Sequence, residues 1–289
     1  HIHSEGKGGP PVILDAGGGC SSLDWALVQP ELAKLTKVCS YDRAGYGWSE
    51  ESSKSATSQN AVEDLHTLLQ KAKIPTPYIL VGHSFGGLNM RLYASYYPDE
   101  VAGMVLVESS HEELLDRTPL APQLNWVQRI FTNQKVWIWA CRLGLVRLTM
   151  PMQLHKVIQG WSCEAKNVYC AKNSTVKAVK AKFAEASMDV QKQSMEQLKD
   201  AKGLLGDKPL IVMTAKSLLT TAEMSSFPQE LKEYMTAVTK AHEGWQKDLV
   251  SKSTQGKQII IENSSHMIPY DQPGVIVDVV QELVEQLRR

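Results

Sequence analysis

The stretch "ILVGHSFGG", Ile79 to Gly87, sets a serine between two glycines directly after a run of apolar, strand-forming residues. Tyr78, Ile79, Leu80 and Val81 make the short continuous apolar run expected of a strand buried on both faces of a parallel sheet. Downstream, Leu88, Leu92 and Tyr96 recur four residues apart, one stripe of a helix that stops before Pro98. Ser84 thus sits between a buried strand and a helix start. That is the context a G-x-S-x-G nucleophile elbow requires, in which glycines two before and two after the serine leave room for a strained turn that lifts the hydroxyl above the sheet. The helix N-terminus beneath it adds free N–H groups and a positive end. Strand, motif and helix agree, so Ser84 reads as a nucleophile rather than as an incidental serine in a glycine-rich turn.

Similar β-rich runs lie outward of this one at Pro11–Ala16, Lys37–Asp42, Ala102–Glu108, Pro209–Thr214 and Gln258–Glu262. Helical patterns separate most of them. Val62, Leu65, Leu68 and Leu69 are helically spaced within 56–73, as are Val275, Ile276, Val279, Val280, Leu283 and Leu287 at the C-terminus. Strand alternating with helix predicts an α/β fold with a mostly parallel sheet flanked by helices. Between Ser110 and Gly206 the rhythm breaks. That interval holds no convincing strand, only helix-prone sequence with Trp126, Trp137, Trp139 and Trp161, then a Lys/Ala/Glu/Gln-rich run. It reads as an inserted helical cap over 111–206, with residues 1–110 and 207–289 forming the core. Most of the tryptophans are expected to build the cap's own small core, and one or two to face the serine and shape an apolar pocket.

Composition excludes some functions. The 289 residues carry 31 Lys+Arg and 31 Asp+Glu, so no charge excess supports nucleic-acid binding. No apolar stretch is long enough to span a bilayer, and the most apolar window, "VWIWACRLGLVRLTM", is interrupted by Arg142 and Arg147. Five cysteines, an odd number, do not suggest a disulfide framework. The chain opens at His1 without an initiator methionine, which leaves room for a removed signal or anchor and leaves the compartment open. His1 and His3 lack a third ligand at useful spacing and read as a tag remnant or an edge strand rather than a metal site.

A serine hydroxyl needs a general base within hydrogen-bond reach. His266, in "IIIENSSHMIPYDQPGVIVDVV", follows a strand and precedes the final helix, the place and chain order of the base in a Ser…acid…His triad. The other histidines fit worse; His83 lies in the elbow itself, and His66, His155 and His242 in helical sequence. Two N–H donors must also face the developing oxyanion. One is expected from Phe85, the residue after the nucleophile. The other is expected from Gly18 in "DAGGGCSSLDW", a loop that lacks the Lys-Ser/Thr of a P-loop and the full G-x-G-x-x-G of a dinucleotide site.

Together "LDAGGGCSSLDW", "YDRAGYGWSE", "YILVGHSFGGLNMRLYASYYPDEVAGMVLVESSH" and "SSHMIPYDQP" resemble an α/β-hydrolase-fold serine hydrolase of the group with Gly-Gly-Gly where many relatives have His-Gly. The similarity covers both core segments and leaves the cap uncovered. It implies Ser84 as nucleophile, His266 as base, and the Gly18 and Phe85 amides as oxyanion hole, with no metal or cofactor. The first residues resemble the family's second strand, implying a first strand or an anchor upstream. The triad acid departs from the common pattern. Its usual slot after the strand "PLIVMT" holds Lys216, Ser217 and Leu218, and the first carboxylate beyond is Glu223. Some family members hold the acid at the end of the preceding strand, where this chain has Glu108, so Glu108 is the expected acid and Glu223 the reserve. The implied activity is hydrolysis of an acyl bond, ester or lactone, in a small and apolar substrate. A small-molecule receptor with little turnover, or an acyltransferase, remains open on the same residues.

Overall fold

The computed structural model describes residues 1–117, 133–150, 160–201, 205–219 and 221–289. Trp126 and His155 lie outside them. Seven strands form one sheet: β1 (Ile2–Glu5), β2 (Val12–Asp15), β3 (Val38–Tyr41), β4 (Tyr78–His83), β5 (Val101–Val107), β6 (Leu210–Ala215) and β7 (Gly256–Ile261), in the order β1-β3-β2-β4-β5-β6-β7. β2 to β7 pair in parallel, and β1 closes one edge antiparallel to β3. The first residues therefore take the edge-strand option, with His1 Nδ1 2.9 Å from an Asp42 oxygen and the exposed His3 Nε2 3.2 Å from Glu5.

The alternation of side chains along a strand explains the layers. All six residues of β4 are buried, and they alternate between two cores. Leu80 joins Ile13, Met104, Leu106 and Val212 on one face, under helices Ser58–Lys71, Phe85–Tyr96 and Met188–Ala201. Ile79 and Val81 join Leu14, Val105, Val107 and Met213 on the other, under Trp25, Leu32 and the C-terminal helix Pro273–Leu287. Met195 and Leu198 of helix Met188–Ala201 lie in the first of these cores although they fall within 111–206. That helix packs on helices Phe85–Tyr96 and Ser58–Lys71.

The remaining described helices of that interval include Gln134–Arg142, Cys163–Asn173 and Val176–Glu185. Trp161 heads a small apolar cluster with Leu23, Leu27, Tyr169 and Tyr270. Trp139, expected inside, is 60% exposed. No described helix is long and apolar enough to cross a membrane.

Candidate active site

Ser84 joins β4 to helix Phe85–Tyr96 at φ 51, ψ −118, a sparsely populated conformation for a residue with a side chain. Its neighbours hold it there. The Ser84 N–H donates to the Val107 carbonyl at 3.1 Å, and its carbonyl accepts from the N–H groups of Gly87 and Ser110, both at 3.0 Å. The flanking glycines are required by contact. A Cβ at Gly82 would stand 2.6 Å from the Gly86 carbonyl oxygen, one at Gly86 2.3 Å from the Asp15 carbonyl oxygen, and one at Gly87 2.2 Å from Ser109 Oγ.

Glu108 follows β5, also at positive φ (49), and is fully buried. Its Oε1 accepts the Ala215 N–H at 2.6 Å, while Oε2 lies 3.2 Å from His266 Nδ1 and 3.2 Å from His242 Nε2. Burial opposes the charge, yet hydrogen bonds from the two histidines outweigh it, and the carboxyl is held at about 2. It is ionised at neutral pH. With Nδ1 turned to Glu108, the His266 ring presents Nε2 on its opposite edge, and the side chain keeps 36% of its surface exposed. The loop that carries it is tied down: His266 N–H donates to the Leu218 carbonyl at 3.2 Å, and Asp271 accepts from both N and Oγ of Ser265. Buried His83 has its pKa pushed down to about 3, first by burial and then by His266, so its neutral ring can donate from Nε2 to the His266 carbonyl at 2.9 Å. Glu223 lies in helix Thr221–Ser226, and its side chain is outside the described residues.

His242 had no signal beyond its place in helix Gln229–Val250, and sequence reasoning passed over it. One turn along, the Gln246 amide donates to the Ser109 carbonyl at 2.8 Å and lies 3.1 Å from His242 Nε2, which seats the ring against Glu108.

The glycine loop after β2 crosses the elbow closely: a Cβ at Gly17 would sit 2.9 Å from His83 Nδ1 and 3.3 Å from Ser84 Cβ. A Cβ at Gly18 would be 3.6 Å from Phe85 Cβ, so Gly18 and Phe85 are neighbours. Among the described residues neither amide has an acceptor. Buried Arg43 braces this loop, donating to the Ala16 and Gly17 carbonyls at 2.7 Å each, to Asp15, and to Glu185 at 2.7 Å. Glu185 reaches in from the end of helix Val176–Glu185 and also accepts from Tyr46 OH and from the Gly19 N–H, at 2.9 and 2.8 Å. An arginine straight after a buried strand hints at such a brace, but nothing in the sequence names its partner 142 positions away.

Glu185→Gln leaves Arg43 with one carboxylate and turns an amide toward donors. The expected cost is about 2–4 kcal/mol of stability. Urea unfolding checks this, and an unchanged midpoint would refute it.

Elsewhere, His111, Glu113 and Asp248 form one group among the described residues that could hold a metal, their ligand atoms within 4.8 Å of one another. The Glu113 N–H donates to His111 Nδ1 at 3.1 Å, which occupies that lone pair. Burial, then Arg91 and Lys252, hold the His111 pKa down at about 4, so a cation there would meet like charge. A cavity of about 680 Å³ opens between residues 41–71 and helix Val176–Glu185; it reaches Arg43 and Glu185, but neither Ser84 nor His266 lines it.

A family model described as the alpha/beta hydrolase fold matches residues 10–155, the span that holds the glycine loop, the elbow and Glu108. The chain belongs to the α/β-hydrolase family. Uncharacterized protein YqjL of Bacillus subtilis (strain 168) is 23% identical to this family member over 274 residues, 95% of this chain and 83% of that one. An uncharacterized vacuolar membrane protein of Saccharomyces cerevisiae (strain ATCC 204508 / S288c) is 36% identical over 131 residues, 44% of this chain but only 19% of that protein. Among solved structures, the epoxide hydrolase CorEH superimposes with a TM-score of 0.67 at 17% identity, covering 99% of this chain and 95% of its own. A thermophilic esterase from Thermogutta terrifontis does so with a TM-score of 0.64 at 18% identity, over 100% and 94%. At those identities the two structures establish the shared fold alone.

Proposed function

We propose that this hydrolase cleaves a carboxylic ester or lactone through an acyl-Ser84 intermediate. The observation that carries the reading is the buried, ionised Glu108 at 3.2 Å from His266 Nδ1, in a chain whose elbow strains a serine into positive φ. His266 Nε2 takes the proton as Ser84 Oγ attacks the acyl carbon. Glu108 holds the ring in the tautomer that leaves Nε2 free, and stabilises the cation that forms. The Gly18 and Phe85 amides receive the oxyanion. On collapse His266 returns the proton to the departing alkoxide, and water repeats the cycle on the acyl-enzyme. Serine chemistry favours acyl over epoxide substrates. A serine that opened an epoxide would leave an alkyl ether on the enzyme, with no carbonyl for water to attack. Leu23, Leu27, Trp161 and Tyr270 gather beside the glycine loop and the His266 loop, which supports an apolar acyl group.

Incubation with an activated short-chain aryl ester tests the reading. Many turnovers per molecule are expected. Release of a single equivalent followed by a stall would point to a receptor, and preferential transfer to added alcohol to an acyltransferase.

His242 gives this scheme a pH signature. Its hydrogen bond draws on the same Glu108 oxygen that faces His266. His242→Leu, which has no donor, frees that oxygen to stabilise the imidazolium, so the acid limb of the kcat/KM profile is expected to move to higher pH by about half to one unit. A limb that stays put or moves down would show that His242 only fills space.

A further inference from the structure

The segment 133–150 combines exposure, charge and aromatic geometry in a way the hydrolytic site does not use. Helix Gln134–Arg142 turns Val136 and Trp139 outward, 40% and 60% exposed, and Leu143 follows at 67%. These positions fall on one helical face. Gly144, at φ 74, redirects the chain, and the helical residues 145–150 add Leu145 at 50% and Leu148 at 72%. Five of the ten large exposed apolar residues among the described ones therefore crowd into thirteen positions, where scattered single residues would need no explanation.

The charge is one-sided. Residues 117–163 contain no acidic residue in a chain that has 31, yet carry Arg117, Arg129, Lys135, Arg142, Arg147 and Lys156. The overall balance of the chain is zero, so the excess is local. Lys135, Arg142 and Arg147 are exposed on the same two helical pieces as the apolar residues. Arg142 also lays its guanidinium over the Trp139 ring at 5.4 Å, an arrangement that sets an indole at an acyl boundary with a cation at phosphate level.

We propose that this face docks the protein reversibly on an anionic lipid bilayer. The apolar side chains enter the headgroup boundary, and Lys135, Arg142 and Arg147 meet the phosphates. A protein partner would present both signs of charge, and a matching surface would then carry some acids; a lipid surface is uniformly negative. The pieces are too short to span, so the attachment is interfacial.

The test is flotation of the full chain with vesicles of phosphatidylcholine alone and of phosphatidylcholine mixed with phosphatidylserine. Binding is expected on the mixed vesicles, weaker on the neutral ones, and reduced by added salt. Trp139→Ser with Leu148→Ser is expected to lower binding to both at least about tenfold. Arg142→Gln with Arg147→Gln is expected to lower it about tenfold on the mixed vesicles only. Both double variants should melt at the wild-type temperature. Absence of flotation, or flotation that the variants retain, would overturn the proposal. So would a concentration-dependent dimer abolished by the same substitutions, which would make a second copy the occupant. A melting temperature lowered by several degrees would mean that the chain covers this face itself, and would overturn it too.

Discussion

Ser84→Ala leaves a protein that melts like the wild type, hydrolyses no ester above background and takes no label from a fluorophosphonate. Loss of a triad nucleophile has cost about 10⁶ in kcat in a serine protease, and about 10⁵–10⁶ is expected here. Stability should hold for two reasons. The Ser84 hydroxyl makes no hydrogen bond to a described residue, and alanine at φ 51 is no more strained than serine, since both carry a Cβ. The reading would collapse if the alanine variant were labelled at the wild-type rate, because the nucleophile would then be another residue.

Glu108→Gln is expected to lower kcat by about 10²–10⁴ with little change in KM. The native carboxylate accepts on both oxygens: the Ala215 N–H on one, and both histidines on the other. An amide has only one acceptor oxygen. Turned toward the histidines, it sets its NH₂ against the Ala215 N–H; turned toward Ala215, it sets the NH₂ against His266 and His242 and selects the wrong tautomer. Neither orientation restores the charge that the imidazolium needs. Glu108→Asp keeps that charge at a shorter reach and should recover part of the rate, which separates chemistry from damage to folding. Glu223→Gln should stay within about threefold of wild type, because the Nδ1 of His266 already has its acceptor. An almost dead Glu223→Gln beside a healthy Glu108→Gln would transfer the acid's role to Glu223 in the helix after β6.

Reading the sequence recovered what depends on neighbours in the chain. Each β-rich run matches a strand of the sheet to within a residue or two, because a buried parallel strand must be continuously apolar. The elbow was legible because its steric demands fall on Gly82, Gly86 and Gly87, a few positions apart. Glu108 came from the resemblance, since the slot after β6 held no carboxylate and some relatives carry one at the end of the preceding strand; the structure puts it 3.2 Å from His266 Nδ1. His242 and Glu185 were not legible. Each meets its partner across a gap of more than a hundred residues, from helices whose spacing repeats only the helical period. Trp139 misled in the opposite direction, for an amphipathic helix and a solvent-facing apolar one share the same periodicity.

The bond between Arg43 and Glu185 also constrains how the molecule can open. If helix Val176–Glu185 swung outward, it would strip a buried guanidinium of one of its two carboxylates and release the Gly19 amide in the same motion. A rupture of that kind costs about 3–5 kcal/mol. The helix therefore behaves as the hinge post of the covering layer rather than as its leaf. Helix Gln134–Arg142 packs directly on it, so the pinned helix also holds the segment with the exposed leucines in place.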